Sequence, residues 1–338
     1  MIDLRSDTVT KPTAEMRKAA YEAEVGDDVY QEDPTVKELE QTAAEMLGKD
    51  AAMFVTSGTQ GNQIAVLTHT RRGNEIIVEQ DSHILNYEGA AISAFAGVQP
   101  RAIKGKRGAM DPAEVEAAIQ EEDVHNPETG LICIENTHNR AGGAVIPLEN
   151  MKAIYEIASA NQIPVHLDGA RLFNAAVALG CPVKDIAQYT DSVQFCLSKG
   201  LGAPVGSIIA GSGDFINQAR KWRKRLGGGL RQVGIIAAPG LVALRTMVDR
   251  LAVDHENATF LAQGLGNISG LNVVNQVDTN IILVEVSERG LTSSQFAALL
   301  KEHGVLVSTF GPKLVRFTTH YDVDRETIEK AIQIVGKL

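Results

Sequence analysis

Lys199 is the only charged residue between Ser192 and Gly211. Its neighbours Gly200, Gly202 and Ala203 are small and leave space beside the amine. A partly buried lysine releases its proton more readily than an exposed one, and the free amine can attack a carbonyl to form a Schiff base. The alternative is an ordinary exposed loop lysine. The segment therefore predicts either a surface loop or a Schiff-base lysine with room for a bulky aldehyde.

Asp168 ends an apolar run and is followed by Gly169, Ala170 and Arg171. Its carboxylate could cap a helix. It could also pair with the pyridinium nitrogen of pyridoxal phosphate, because the protonated ring accepts the electrons of a carbanion. Arg171 could bind the phenolic oxygen of the cofactor, hold the substrate, or form a salt bridge with Asp168. Together with Lys199, this carboxylate makes pyridoxal 5'-phosphate the candidate cofactor.

Two further polar segments follow predicted strands. The segment TSGTQGNQ, residues 56–63, opens a predicted helix, whose N–H groups could bind a phosphate with help from the hydroxyls of Ser57 and Thr59. Many strand-to-helix turns have a similar composition. His83 follows the next strand and is either a hydrogen-bonded structural histidine or a ring that stacks on the cofactor and assists proton transfer.

Three cations in the second half of the chain could bind anions. Lys224 and Arg231 flank the glycines 227–229 and could reach a phosphate, also in a neighbouring subunit. A solvated basic helix surface is the alternative. Arg316 lies in a late predicted strand and could bind an α-carboxylate through two hydrogen bonds.

The elements that must position these groups follow from the apolar runs. Strands alternate with helices near 59–71, 111–121 and 148–161, which predicts an α/β fold with a mostly parallel sheet and right-handed crossovers. Ligands bind at the carboxyl ends of such strands, where the polar residues above are found. The predicted strands are 51–55, 75–79, 98–103, 131–135, 164–167, 192–197 and 205–210.

The pattern changes after Gly211. Residues 213–226 and 233–263 are predicted to be helices, the second of them long. From about 270 the order is strand, strand, helix, strand, strand, helix. We therefore expect a large domain, 1–250, and a small α+β domain, 251–338. The first 35 residues are predicted to form an irregular arm that wraps over another surface.

Composition excludes several functions. The net charge of −10 argues against a nucleic-acid partner. No run of 18 apolar residues predicts a membrane span, and the N-terminus lacks a signal pattern, so we expect a cytoplasmic protein. The three cysteines are widely spaced and predict buried free thiols, and we expect no metal site.

Eight motifs in order resemble the low-specificity L-threonine aldolases. These are fold-type I pyridoxal phosphate enzymes of the aspartate aminotransferase-like superfold. The resemblance extends from about residue 3 to 320. Its motifs are DLRSDTVTKPT, GDDVYQEDPT, TSGTQGN, SHI, ENTHN, HLDGARLFNA, LSKGLGAPVGS and RKRLGGGLRQVG.

The resemblance implies a role for each matching residue. Lys199 would form the Schiff base with the cofactor, Asp168 would pair with the ring nitrogen, and His83 would stack on the ring. The residues implied for the phosphate are Gly58 and Thr59, with Lys224 and Arg231 across a subunit interface. Those implied for the substrate carboxylate or the cofactor oxygen are Ser6, Arg171 and Arg316, and those near the substrate side chain are Tyr30, Tyr87 and His125.

The resemblance also implies a reaction and an assembly. L-threonine or L-allo-threonine would be cleaved between Cα and Cβ to glycine and acetaldehyde, in a homotetramer of tight dimers with shared active sites. The base that removes the β-hydroxyl proton could be His83, His125 or a water molecule.

Two other classes fit part of the pattern. Fold alone does not separate an aldolase from an aminotransferase, a serine hydroxymethyltransferase-like enzyme or a β-eliminating lyase. A non-catalytic cofactor-binding protein is the other alternative, and the presence of Lys199, Asp168 and Arg316 argues against it.

Overall fold

The computed structural model describes residues 1–338. None of its helices combines the length and the apolar character that a membrane crossing requires. The strands are β1 Ile2–Asp3, β2 Ala51–Val55, β3 Glu75–Glu79, β4 Gln99–Ile103, β5 Thr129–Glu135, β6 Val165–Asp168, β7 Ser192–Cys196, β8 Ser207–Gly211, β9 Asn272–Val273, β10 Ile281–Glu285, β11 Val305–Leu306, β12 Ser308–Thr309 and β13 Leu314–Thr318. The helices are α1 Ala14–Glu22, α2 Pro34–Leu47, α3 Gly58–His69, α4 His83–Asn86, α5 Pro112–Ala118, α6 Leu148–Ala160, α7 Leu172–Leu179, α8 Val183–Ala187, α9 Gly213–Arg225, α10 Gly234–Thr246, α11 Leu251–Gly266, α12 Ser293–Glu302 and α13 Arg325–Gly336.

Seven strands form the large sheet in the order β2-β8-β7-β6-β5-β3-β4. Strand β8 runs antiparallel to both of its neighbours, and the other strand pairs are parallel. The predicted α/β class with a mostly parallel sheet is therefore confirmed. The carboxyl ends of β5, β6 and β7 meet at one edge, where a ligand site is expected in this architecture.

The two faces of the large sheet pack against different helices. Val193 and Phe195 of β7 point to one face and join a cluster of 42 buried apolar residues that includes side chains of α2, α6, α7 and α10. The opposite face is covered by α3 and α9. Alternation of side chains along each strand produces this division.

Helix α3 covers a polar stripe at the centre of the sheet. The stripe consists of His166 and Asp168 of β6 and Ser192 and Gln194 of β7, all of them buried. Buried polar groups are costly unless they are hydrogen-bonded, so the stripe needs partners on α3.

The C-terminal part has a separate core. Strands β12, β13, β10 and β9 form an antiparallel sheet, and its cluster of 18 buried apolar residues includes side chains of α11, α12 and α13. Leu4 belongs to this cluster, and β1 pairs with β11. The N-terminal arm thus adds to the second core, and the division at residues 250 and 251 remains a prediction.

The prediction is wrong for two helices. Helix α1 lies within the arm that was expected to be irregular, and Met16 is its one buried residue. The long helix expected over 233–263 is two helices, α10 and α11. Leu244 at the end of α10 packs in the large core, whereas Leu261 of α11 packs in the second core, so the chain changes direction between them.

The cysteines form no disulfide. Cys133 and Cys196 are buried, as expected of free thiols, but Cys181 is partly exposed.

Candidate active site

A cleft lies where β6 and β7 end and α3 begins. It brings together six of the residues that the sequence predicted for one site: Ser57, Gly58, Thr59, His83, Asp168 and Lys199. The remaining lining residues are Asn62, Glu88, Ala170, Gln194, Cys196 and Ser198. Residues from four distant parts of the chain therefore meet at the predicted edge of the sheet.

Lys199 follows β7 in a tightly turned loop. Its carbonyl accepts hydrogen bonds from Thr10 Oγ1 at 3.1 Å and from the N–H of Gly202 at 2.8 Å. Gly202 has a φ of +76° and Gly206 a φ of +101°, and a Cβ at Gly206 would lie 2.4 Å from the Phe54 ring. These two glycines are needed for the turn into β8, in addition to any room they leave for a ligand.

Asp168 points into the cleft with both oxygens held. Asn62 Nδ2 donates to Oδ2 at 2.9 Å, and the N–H of Ala170 donates to Oδ1 at 3.1 Å. The residue is 2% exposed. It does not cap α7, whose N-cap residue is Arg171. A fixed carboxylate with free lone pairs suits a partner that donates an N–H.

Arg171 pairs with Asp7, and the alternative of a salt bridge with Asp168 is wrong. Its Nε and Nη2 donate to the two oxygens of Asp7 at 2.7 and 2.6 Å, and Asn280 Nδ2 lies 3.2 Å from Asp7 Oδ2. Burial opposes ionisation of Asp7, but Arg171 and Lys199 hold its pKa well below the ordinary value. Sequence reasoning missed Asp7, although it lies in the conspicuous segment DLRSDTVTKPT.

His83 is oriented by Glu88, which sequence reasoning also missed. His83 Nδ1 lies 3.1 Å from Glu88 Oε1, whose side chain is fully buried. Burial lowers the pKa of His83, but the hydrogen bond to Glu88 and the charges of Asp168 and Glu135 outweigh it, so the pKa is raised. The signal was a lone carboxylate five residues after the histidine in DSHILNYEGAA.

The start of α3 is arranged to receive an anion. Ser57 caps the helix by accepting from the N–H of Gln60 at 3.1 Å. The N–H groups of Gly58 and Thr59, in the first turn, have no partner within the helix, and both residues line the cleft. A Cβ at Gly58 would lie 2.9 Å from Cys196 Sγ, so only glycine fits here.

Arg316 is a half-buried cation without a carboxylate partner. Its Nη1 and Nη2 donate to Asn139 Oδ1 at 3.0 Å and to the Arg5 carbonyl at 3.1 Å, and its Nε has no partner. Burial, followed by the nearby Arg171, lowers its pKa to about 10, so the guanidinium remains charged at neutral pH. Tyr87 lies beside His83, and the centroids of the two rings are 5.7 Å apart.

Ser6 lies next to Asp7 in the N-terminal arm. Its Oγ accepts hydrogen bonds from the backbone and the hydroxyl of Thr8 at 3.2 and 2.9 Å. The hydroxyl thus belongs to the turn that places Asp7 against Arg171.

Eight of the predicted residues do not line the cleft of the single chain. Besides Ser6, Tyr87, Arg171 and Arg316, these are Tyr30, His125, Lys224 and Arg231. The His125 side chain is 86% exposed and contacts Asp123. Arg231 pairs with Asp27 at 2.9 Å. Tyr30 is 73% exposed, and Lys224 packs against Gly229.

Three possible metal ligands also meet here, although no metal site was predicted. Atoms of His83, Glu88 and Asp168 lie within 4.8 Å of one another. Both Glu88 oxygens already accept hydrogen bonds, from Asn62 at 2.8 Å and from Gln63 at 2.6 Å. The cluster is therefore a hydrogen-bonded unit of the cleft.

Comparison with known proteins identifies the family. The family model described as beta-eliminating lyase matches residues 3–289. A probable low-specificity L-threonine aldolase 2 of Arabidopsis thaliana is 47% identical over 343 residues, covering 100% of this chain and 97% of that protein. A low specificity L-threonine aldolase of Escherichia coli (strain K12) is 44% identical over 329 residues, covering 97% of this chain and 96% of that protein.

A solved structure shares the fold. The threonine aldolase of Leishmania major superposes with a TM-score of 0.87 at 20% sequence identity, covering 100% of this chain and 99% of that one. The predicted fold type I is confirmed by such neighbours. From the family model and the identities above, the chain belongs to the beta-eliminating lyase family and, within it, to the low-specificity L-threonine aldolases.

Proposed function

We propose that the protein cleaves L-threonine and L-allo-threonine between Cα and Cβ, giving glycine and acetaldehyde with pyridoxal 5'-phosphate as cofactor. The observation that carries the proposal is the meeting of Lys199, Asp168 and His83 in one cleft beside the start of α3. The aldolases to which the chain is 44% and 47% identical support the same reaction.

The cleft fits the cofactor. It offers an amine, a fixed carboxylate and unpaired helix N–H groups at one place. Gln194 Oε1 is buried in the lining without a hydrogen-bond partner, which is costly unless a ligand satisfies it. When bound, pyridoxal phosphate supplies an electron sink that stabilises the carbanion left by bond cleavage.

The lining residues have distinct tasks toward the cofactor. Lys199 would hold it covalently through its amine. Asp168 would pair with the ring nitrogen, and the His83 ring would stack on the cofactor. The N–H groups of Gly58 and Thr59 receive the phosphate together with the Ser57 hydroxyl.

Arg316 and His83 act on the substrate. Arg316 has an unpaired Nε and no carboxylate partner in the chain, so it binds the substrate carboxylate, with Ser6 beside it. His83 donates its Nδ1 proton toward Glu88, which leaves Nε2 as the nitrogen that accepts the β-hydroxyl proton. His83 lines the cleft and is oriented by Glu88, so His83 is the favoured base.

We infer a cytoplasmic homotetramer of tight dimers with shared sites. The exposed Tyr30 and His125, with Lys224 and Arg231, then act in the cleft of a neighbouring copy. Mixing two inactive variants, Lys199→Ala and Lys224→Ala, tests this: shared sites restore about a quarter of the activity after subunit exchange. No recovery after verified exchange would show that Lys224 acts within its own chain or not at all.

Product analysis tests the reaction. The cofactor-loaded enzyme is incubated separately with L-threonine, L-allo-threonine and their D-forms, and acetaldehyde and glycine are measured. Acetaldehyde from the L-forms alone is expected, and the two rates give the preference at the β-carbon. Release of ammonia and a keto acid instead, with the cofactor band still responding to amino acids, would replace the aldolase by a β-eliminating lyase.

A further inference from the structure

A continuous chain of hydrogen bonds runs under α3, away from the cleft. Asn62 Nδ2 donates to Glu88 Oε1 at 2.8 Å and to Asp168 Oδ2 at 2.9 Å. Asn62 Oδ1 lies 3.1 Å from His166 Nε2, and His166 Nδ1 lies 2.9 Å from Ser192 Oγ. The chain of contacts continues beyond Ser192 to a second histidine.

That second histidine is His69, in the last turn of α3. Its Nε2 lies 2.8 Å from Ser192 Oγ, and its ring stacks on Phe215 with centroids 4.6 Å apart. His166 and Ser192 have 0% exposure. This series of hydrogen bonds therefore connects the partly buried end of α3 with the carboxylates of the cleft, through side chains that water does not reach.

Both histidines are neutral. Burial lowers the pKa of His166 to about 4. Burial, and secondarily the neighbouring His166, lowers the pKa of His69 to about 3. A neutral imidazole has one N–H donor and one acceptor nitrogen, so each contact has a defined direction.

The direction follows from the carboxylates. Glu88 and Asp168 accept hydrogen bonds, so the Asn62 amide must present its NH₂ to them and its oxygen to His166. His166 then carries its proton on Nε2, and its Nδ1 accepts a hydrogen bond from the Ser192 hydroxyl. Ser192 Oγ in turn accepts from His69 Nε2–H. Every donor in this series of hydrogen bonds points toward the cleft.

We propose that His166 and Ser192 are positioning residues that hold the NH₂ group of Asn62 on Asp168 and Glu88. The proposal rests on the proposed function, since Asp168 then keeps the cofactor ring nitrogen charged. In a low-dielectric interior, hydrogen bonds in series strengthen one another, and an unpaired member is costly. Removing the Ser192 hydroxyl frees His166 to change tautomer and weakens its hold on Asn62.

Two buried serines provide a matched test. Ser192→Ala removes the link between the two histidines. Ser207→Ala makes the same chemical change on β8, also at 0% exposure, but the Ser207 hydroxyl has no partner. Thermal unfolding confirms that each holoenzyme variant is folded. If Ser192→Ala does not fold, Ser192→Cys keeps the volume and replaces the hydroxyl by a weak donor.

The readout is the pH midpoint of the bound cofactor's visible absorption, with its dissociation constant. If Asp168 binds the ring nitrogen less strongly, the cofactor ring would be less positive. The Schiff-base nitrogen at Lys199 would then keep its proton to higher pH. We expect Ser192→Ala to raise the midpoint by about 0.5 unit, an approximately threefold change in the proton equilibrium. The dissociation constant of the cofactor should rise about fivefold, which corresponds to the weakening of one hydrogen bond. Ser207→Ala should change neither quantity.

The outcomes separate the two proposals. Absence of a cofactor band in the unmodified protein overturns the proposed function. A normal band in the unmodified protein with an unchanged midpoint in Ser192→Ala overturns the positioning role alone. An equal shift in Ser207→Ala also overturns it, because packing would then be the cause.

Discussion

The ion pair between Asp7 and Arg171 is buried, whereas the pair between Asp3 and Arg5 in the same N-terminal segment is exposed. Breaking each pair separately shows how burial changes the loss in the free energy of unfolding. Asp7→Asn removes the negative charge and keeps the shape of the side chain. The Asp7 and Arg171 side chains are 0% and 6% exposed. The matched change, Asp3→Asn, breaks a pair with Arg5 of the same bidentate geometry.

The expected magnitudes differ because of burial. Removing one partner of a buried pair leaves the other charge without compensation, which costs about 3–5 kcal/mol. The Asp3 and Arg5 side chains are 26% and 49% exposed, and water replaces a lost partner there. Asp3→Asn should therefore cost less than about 1 kcal/mol. The double variant Asp7→Leu with Arg171→Met should recover much of the loss, since it buries no charge.

The free energy of unfolding is measured by urea titration at one protein concentration, with and without cofactor. Equal losses for Asp7→Asn and Asp3→Asn would refute the argument that burial decides the cost. A further loss in the double variant, beyond that of Asp7→Asn, would also contradict it.

The pH dependence of this stability has a defined sign. The pKa of Asp7 is lower in the folded protein than its ordinary value of 3.8, so the carboxylate stabilises the fold above about pH 4. This contribution is lost as pH falls from 3.8 toward the folded value. The stability difference between the unmodified protein and Asp7→Asn should be constant from about pH 5 to 8 and shrink below about pH 4. A difference that grows on acidification would contradict the assignment.

Three substitutions test the cleft. Lys199→Ala should abolish turnover and the response of the cofactor band to substrate, and retained turnover would remove Lys199 from its role. Arg316→Ala should raise KM by about 10–100-fold, the value of a charge-assisted hydrogen bond, and an unchanged KM would exclude it from carboxylate binding. Glu88→Gln removes a group that raises the pKa of His83, so the acid limb of the kcat/KM profile should move to lower pH; an unmoved limb would mean that His83 is not the base.

Much of the fold was predictable because strands of a covered parallel sheet are short apolar runs. The strands at 51–55 and 75–79 agree with the structure to the residue. Helix α1 was not predictable, since it buries only Met16. The break after Thr246 depends on which of two cores each half faces, and a continuous helical pattern carries no such information.

The cleft was predictable where the motif residues end strands. Asp168 ends β6, whereas Lys199 follows β7 and His83 follows β3, and the carboxyl ends of parallel strands share one edge. Their partners were not predictable. Asp7 and Arg171 are 164 residues apart, and Asn62 and Asp168 are 106 apart.

By itself, the sequence determined the elements and the chemical groups, because local patterns of apolar, glycine and capping residues act over a few neighbours. It pointed to a Schiff-base lysine, a carboxylate for a ring nitrogen and a helix start for a phosphate. Only the tertiary structure decided which partners orient these groups through hydrogen bonds and ion pairs. Glu88 orients His83, Asp7 occupies Arg171, and the polar stripe under α3 fixes Asn62. These contacts depend on distance and burial in the folded chain, and no spacing along the sequence specifies them.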